Sequence, residues 1–346
     1  MRRFMFVLAV SLMWVAASVA PAGGVPPVAP YKGLWLSSAE IQALPMAGSA
    51  WGKVKAAADG SLGTANVQDQ DSKHDTLTLA VALVYQRTGI QAYRDKAAAA
   101  IQAAIGTERG GRTLALARNL PSYVIAADLI NLPQLPGGAA FQAWLVSLRT
   151  EVLSDGKTLA GMREQRPNNW GTHGGAAVAA LSLYLGDTTG LAREATVFKG
   201  WLGDRTAYAG FKYGDMSWQA FPKAPVGINP VGSTIFGHPV DGVLPDDQRR
   251  AGGFTWPPRK ENYVWEALQG ATVEAQLLAR AGYPAWQWSD RAIVRAFTWL
   301  YTVCVYPPSG DDAWQPWLVD KATGSSFPKT AASQGKNMGW TDWTHA

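Results

Sequence analysis

Apolar residues along this chain gather into helix-length segments that come in pairs. From Asp75 to Arg87, "DTLTLAVALVYQR", the run is apolar nearly all round and stops at Thr88-Gly89. Beyond that break Ile90, Tyr93, Ala97, Ile101 and Ala104 fall on one helical stripe. The shape recurs in "NLPSYVIAADLI", broken at Pro133 to Gly138 and followed by "FQAWLVSLRTEVL", and again in "AAVAALSLYLGDTTGLAREATVFKGWL". It appears once more in "YVWEALQGATVEAQLLARAGYPAWQWSDRAIVRAFTWLYTV".

The breaks at Gly89, Gly138, Gly190 and Gly282 predict a repeat of about fifty residues, the size of one helix pair, with one longer interval. That interval is a stretch from Gly203 to Asn262, rich in Gly, Pro and aromatics and without a helical period; a long loop of this kind usually serves as a lid or site wall. The pattern therefore predicts an all-α fold, an incomplete α/α toroid built as a barrel of αα-hairpins with a long irregular loop insertion at 203–262. An irregular helical bundle is the plainer alternative.

The first residues have a basic start at Arg2 and Arg3, an apolar run from Phe4 to Ala17, and small residues around Ala20-Pro21-Ala22. This predicts a signal peptide over 1–22 and an exported chain, periplasmic or extracellular, with one catalytic domain over 23–346. The run is short for a membrane span, and no later segment is long and apolar enough to make one. Its loss lowers the formal charge of +5 by two. Without a basic helix or Lys/Arg run, a nucleic-acid partner is disfavoured, while a local positive cleft for an acidic ligand is not. Cys304, the only cysteine, sits in an apolar run and reads as a core residue. Sixteen Trp fit either sugar stacking or core packing. Nothing points to an obligate protein partner.

Candidate chemistry concentrates in "RPNNWGTHGG", Arg166 to Gly175. A helix starting near Thr172 or His173 would place Asn168 and Asn169 before its first turn, where one Asn could serve as a cap. The helix N-terminus would bias His173 to its neutral form, and Asn amides could donate to an acidic group. Removing a proton beside a carboxylate requires that the carboxylate be neutralised, that a base be supplied, and that the developing enolate-like charge be stabilised. Asn, His, Arg and Tyr in one cleft would meet those needs. A second cluster, "DGVLPDDQRRAGGFTWPPRKENYVWEAL", supplies Arg249 and Arg250, then Trp256, Arg259 and Tyr263 at a helix start.

Four pieces, "LTLAVALVYQRTGIQAYRDKA", "RPNNWGTHGGAAVAALSLYLGD", "DGVLPDDQRR" and "ENYVWEALQGATVEAQLLARAG", resemble the alginate lyase family of polysaccharide lyases, α/α toroids that cleave uronate-containing chains by β-elimination. The resemblance spans Leu77 to Gly282. It implies Asn169, Arg250 and Tyr263 as catalytic residues and an acidic polysaccharide as substrate; His173 joins them as the candidate histidine on its own chemistry, and no cofactor or metal is expected. Asn168, Trp170, Arg166, Arg249, Arg259 and Trp256 are candidate substrate contacts. The family commonly has His directly after the Asn pair; here Trp170 takes that place and His173 lies three residues on. Arg249 and Arg259 rival Arg250, because the separation of Arg250 from Tyr263 is long for the family.

Two other readings compete. A glycoside hydrolase on the same helical ring would use paired carboxylates such as Asp246 and Asp312. A non-catalytic sugar-binding protein would need only the aromatic content. "DQDSKHD", Asp69 to Asp75, has metal-like spacing, but helix capping accounts for it.

Overall fold

The structure, a computed structural model, describes residues 31–331 and 334–346; the signal peptide predicted over 1–22 lies outside the described residues. The chain is all-α. Its helices are α1 Ser38–Ala43, α2 Gly48–Asp59, α3 His74–Thr88, α4 Gln91–Ala104, α5 Thr113–Leu129, α6 Gly138–Leu148 and α7 Leu159–Gln165. They continue as α8 Asn169–Leu185, α9 Thr188–Leu202, α10 Pro245–Gln248, α11 Asn262–Arg280, α12 Trp288–Thr302, α13 Gln315–Thr323 and α14 Thr341–Thr344. Among the described residues the only strands are β1 Thr234–Ile235 and β2 His238–Pro239, an antiparallel pair.

Helices α3, α5, α8 and α11 pack in succession and form the inner layer, with α4, α9 and α12 outside them. The sequence explains the division. The inner helices carry buried residues on every side, and α5 is buried from Thr113 to Leu129 without exception. By contrast α4, α9 and α12 each bury one face. The ring closes through the C-terminal segment, because α13 packs on α11, α14 on α13, and α14 on α2.

Close approach of α8 and α11 depends on glycine. A Cβ on Gly175 would strike the Glu274 carboxylate, and one on Gly270 would strike the backbone of Thr172 and His173. Beneath this contact Arg163 is fully buried between Glu194 (2.6 Å) and Glu274 (3.0 Å).

Several expectations need correction. The break after α8 is Gly186, which takes the left-handed conformation at φ 72°. Gly190 is instead inside α9, its N–H donating to the capping Asp187 carboxylate at 2.9 Å. The helix expected from Asn119 begins at Thr113, so Arg118 belongs to it. His345, although next to the last residue of the sequence, is buried against Trp35 with ring centroids 5.4 Å apart, and burial pushes its imidazole down to about 3. Most of the tryptophans, among them Trp35, Trp201, Trp265, Trp314 and Trp343, are core residues. Cys304 is buried too.

From Gly203 to Glu261 the only regular elements are the β1–β2 pair, α10 and a 3-10 turn at Arg249–Ala251. Buried Trp218, Ile228, Val240 and Val243 anchor this segment in the core, and polar ties fix its path between them. Asn229 donates to the Trp218 carbonyl (2.9 Å), Gln219 exchanges two bonds with Val226 (2.9 and 3.0 Å), and Arg295 reaches the Asn229 carbonyl (2.8 Å).

Candidate active site

Helix α8 starts earlier than the sequence suggests. Asn168 has extended backbone and its side chain accepts from the Trp170 N–H at 3.2 Å, so Asn168 alone is the cap. Asn169 is the first helical residue, and its own N–H donates to Asp247 Oδ1 at 3.1 Å. That bond brings α10, from the loop segment, onto the open end of α8. Asp247 is buried, and loss of water holds its carboxyl well above the usual carboxylate range.

A cavity of about 180 Å³ opens beside this helix start. Asn169 and Trp170 enter it from α8, Arg250 from the loop segment, and Tyr263 and Glu266 from the first turns of α11. Gln70, Arg112, Leu114, Arg118 and Lys336 complete the lining. Asn169, Arg250 and Tyr263, widely separated in sequence, therefore share one cavity. The Arg250 guanidinium stands 3.9 Å from the centroid of the Tyr263 ring. Tyr263 is 38% exposed, and its hydroxyl has no hydrogen-bond partner among the described residues.

The cavity is cationic. Four of its lining residues, Arg112, Arg118, Arg250 and Lys336, are basic, and Glu266 is its only carboxylate. Glu266 organises the floor: one of its oxygens accepts from Arg118 Nη2 at 2.6 Å and from Asn169 Nδ2 at 3.1 Å. Lys336 is paired with Asp71 at 2.6 Å. Among the described residues no carboxylate pairs with Arg112 or Arg250. Arg112 lies over the Trp170 ring at 5.5 Å and donates to Gln70 at 3.2 Å.

His173 is one turn beyond Asn169 but does not line the cavity. It is fully buried, and its Nε2 accepts from Arg118 Nε at 3.3 Å. Burial first, and then the Arg118 charge, hold the imidazole well below its ordinary range. The expectation of a neutral ring stands on these causes rather than on the helix end, and the expectation of a ring pointing into the cleft is corrected. His173 braces Arg118 from below.

The other candidates divide. Trp170 lines the cavity, with Arg166 over its ring at 4.5 Å. Asn168, Arg166 and Arg249 line a neighbouring cavity instead, where Arg249 Nε donates to Asp246 at 2.9 Å. Arg259 bonds the Ala251 carbonyl at 3.0 Å, and Trp256 stacks on His238 at 4.5 Å; neither lines either cavity. Arg250 is thus the arginine that meets Tyr263. Of the carboxylates expected under a hydrolase reading, Asp312 is buried among Gln269 (2.6 Å) and Gln315 (3.0 Å), and Asp246 belongs to the neighbouring cavity. Among the described residues no three His, Cys, Asp or Glu side chains converge as a metal site.

Sequence reasoning missed Arg112, Arg118, Glu266 and Lys336. A signal existed for two of them: Arg118 interrupts an otherwise buried apolar helix, and Glu266 sits one turn after Tyr263. Charges in such places need partners, and here they partner each other.

Residues 56–205 match the alginate lyase family model. That span contains Arg112, Arg118, Asn169, Trp170 and His173; Arg250, Tyr263, Glu266 and Lys336 lie beyond it. No curated protein matches the chain.

Proposed function

We propose that this chain, whose residues 56–205 match the alginate lyase family model, is a polysaccharide lyase that cleaves a uronate-containing, alginate-like polysaccharide by β-elimination at the Asn169–Arg250–Tyr263 cavity. The observation that carries this reading is the pair of guanidiniums, Arg112 and Arg250, that have no carboxylate partner among the described residues and stand around Asn169 and Tyr263. A uronate carboxylate supplies the missing charge. Asn169 and Arg250 bind that carboxylate and lower the cost of negative charge developing at the adjacent carbon.

Tyr263, acting from its deprotonated form, takes the C5 proton. The C5–H electron pair becomes the C4=C5 double bond, the C4–O bond breaks, and the same Tyr263 oxygen returns the proton to the departing glycosidic oxygen. One oxygen serving both transfers requires both to occur on one face of the sugar. His173, shielded under Arg118, acts as a positioning residue. The basic and apolar pattern of residues 1–22 supports export, and we place the chain in the periplasm or outside the cell on that ground. Among the described residues no helix is long and apolar enough to cross a membrane.

A screen of purified protein on alginate, glucuronan, hyaluronan and pectate tests the reading. The expected result is rising ultraviolet absorbance from an unsaturated uronate on at least one polymer. New reducing ends without that absorbance would replace elimination by hydrolysis.

A further inference from the structure

A second basic cavity, of about 380 Å³, is lined by sequence neighbours of residues that line the first. Neighbouring residues of the chain divide between the two. Asn168 lines the second and Asn169 the first; Arg249 lines the second and Arg250 the first. The guanidinium of Arg166 in the second cavity and that of Arg112 in the first both lie over the Trp170 ring, at 4.5 and 5.5 Å. Trp170 thus carries a guanidinium from each cavity over its ring, and the two cavities are neighbours at Asn168–Asn169 and Arg249–Arg250.

The lining of the second cavity is again cationic, with Lys157, Arg166, Lys212 and Arg249 against a single carboxylate, Asp246. Asp246 is already engaged by Arg249 Nε at 2.9 Å and the Gly214 N–H at 3.3 Å. Among the described residues, Lys157, Arg166 and Lys212 have no carboxylate partner. Lys157 is oriented by a 2.8 Å bond to Gln165 Oε1, and the Lys212 backbone is fixed by a 2.8 Å bond to the Gln165 carbonyl. The cavity also holds a tyrosine, Tyr213, but among the described residues no guanidinium lies over its ring as Arg250 lies over Tyr263, and burial pushes its phenol well above the ordinary range, so this cavity is suited to hold charge rather than to carry a proton.

We propose that the second cavity is a carboxylate-binding subsite, in which Lys157, Lys212 and Arg166 hold the uronate next to the one seated at Tyr263. This rests on the lyase reading above and extends it: the preferred substrate presents a charged sugar to each cavity, so an isolated uronate flanked by neutral sugars is held less well. The two added lysines identify a polyanion, not a sugar polymer in general, as the occupant.

The test is equilibrium binding of hexasaccharides of alginate, glucuronan, hyaluronan and pectate to the Tyr263→Phe protein, which retains both cavities without turnover. On the hexasaccharide bound best, replacing Lys157 and Lys212 together by Ala should weaken affinity about tenfold, the scale of two partly exposed ion pairs. Replacing both by Arg should restore affinity to within about twofold, since the charge is kept. Undiminished binding by the Ala protein, with its thermal unfolding unchanged, overturns the subsite and leaves the lyase reading standing. Loss that Arg does not restore also overturns it, because a role in local packing would then explain the effect. A parent protein that binds and cleaves none of the four polyuronates overturns the lyase substrate reading, and the subsite falls with it.

Discussion

The helical ring and the loop wall from Gly203 to Glu261 share one apolar core but draw on it in different measure. In the ring, α3, α5, α8 and α11 bury apolar side chains on all sides, and the hydrophobic effect needs little directional information to assemble them. In the wall, scattered anchors such as Trp218, Ile228 and Val240 are buried in the core, and between them single hydrogen bonds and ion pairs at Asn229, Gln219, Asp241 and Asp246 fix the path. The cavity forms where the two meet. Asp247 from the wall accepts the first N–H of α8, and the next two residues but one, Arg249 and Arg250, are thereby aimed into the two cavities. The ring supplies rigid positions for Asn169, Tyr263, Glu266 and Arg118, while the wall adds Arg249 and Arg250, side chains that could be redirected by changing a few residues.

If that division is right, chemistry should be most sensitive at the ring. Tyr263→Phe removes one hydroxyl that has no partner among the described residues, so folding and melting temperature should hold. Turnover on the polymer the enzyme cleaves should fall by about a thousandfold, within the range for loss of a proton-transfer group. Wild-type kcat in this variant would remove Tyr263 from the chemistry.

Asn169→Ala comes next. Its amide donates to Glu266 at 3.1 Å and faces the cavity, whereas the capping bond belongs to Asn168. We expect kcat/KM to drop about a hundredfold, the scale of losing one donor to a developing oxyanion, with little change in stability. The matching change Asn168→Ala should do the opposite, costing about 1 kcal/mol of stability as a lost cap. Equal effects of the two substitutions on activity would erase the distinction between the neighbouring cavities.

The same contrast accounts for what the sequence disclosed. Period and burial mark α3, α8 and α11 plainly, because a helix buried on all sides writes its burial at every residue. The grouping of Asn169, Arg250 and Tyr263 was legible through the family resemblance. Boundaries were not, since Asn168 and Asn169 are equally good caps by type and only the backbone decides between them. Nor was the facing of Arg249, Arg250 and Arg259, three identical side chains on a segment without a period. His173 misled for a related reason: a helical spacing of four puts it on the Asn169 face, but the buried end of that face is occupied by Arg118, which the imidazole then serves.

The smallest expected effect lies in the ring's polar interior and shows in stability rather than rate. Asp312 is enclosed by Gln269 and Gln315, and burial, helped by the charges of Glu266 and Asp311, pushes its carboxyl up to about 7. An unfolded Asp titrates near 4. Because the folded value is the higher one, the folded state holds this proton more tightly. The resulting stability is fully present below about pH 4 and is lost as pH rises through about 7. Asp312→Asn keeps the shape and an acceptor for Gln269 without the ionisation, so its melting temperature should decline less than that of the parent between those limits. Other buried carboxyls, notably Asp75, raised by burial to about 8, keep some slope in both proteins, and the difference between the two curves is the measure. Activity per folded molecule should be retained, because Asp312 does not line the cavity. Parallel melting curves would show that Asp312 does not hold its proton in this range, and abolished turnover would bring the paired-carboxylate hydrolysis back ahead of elimination.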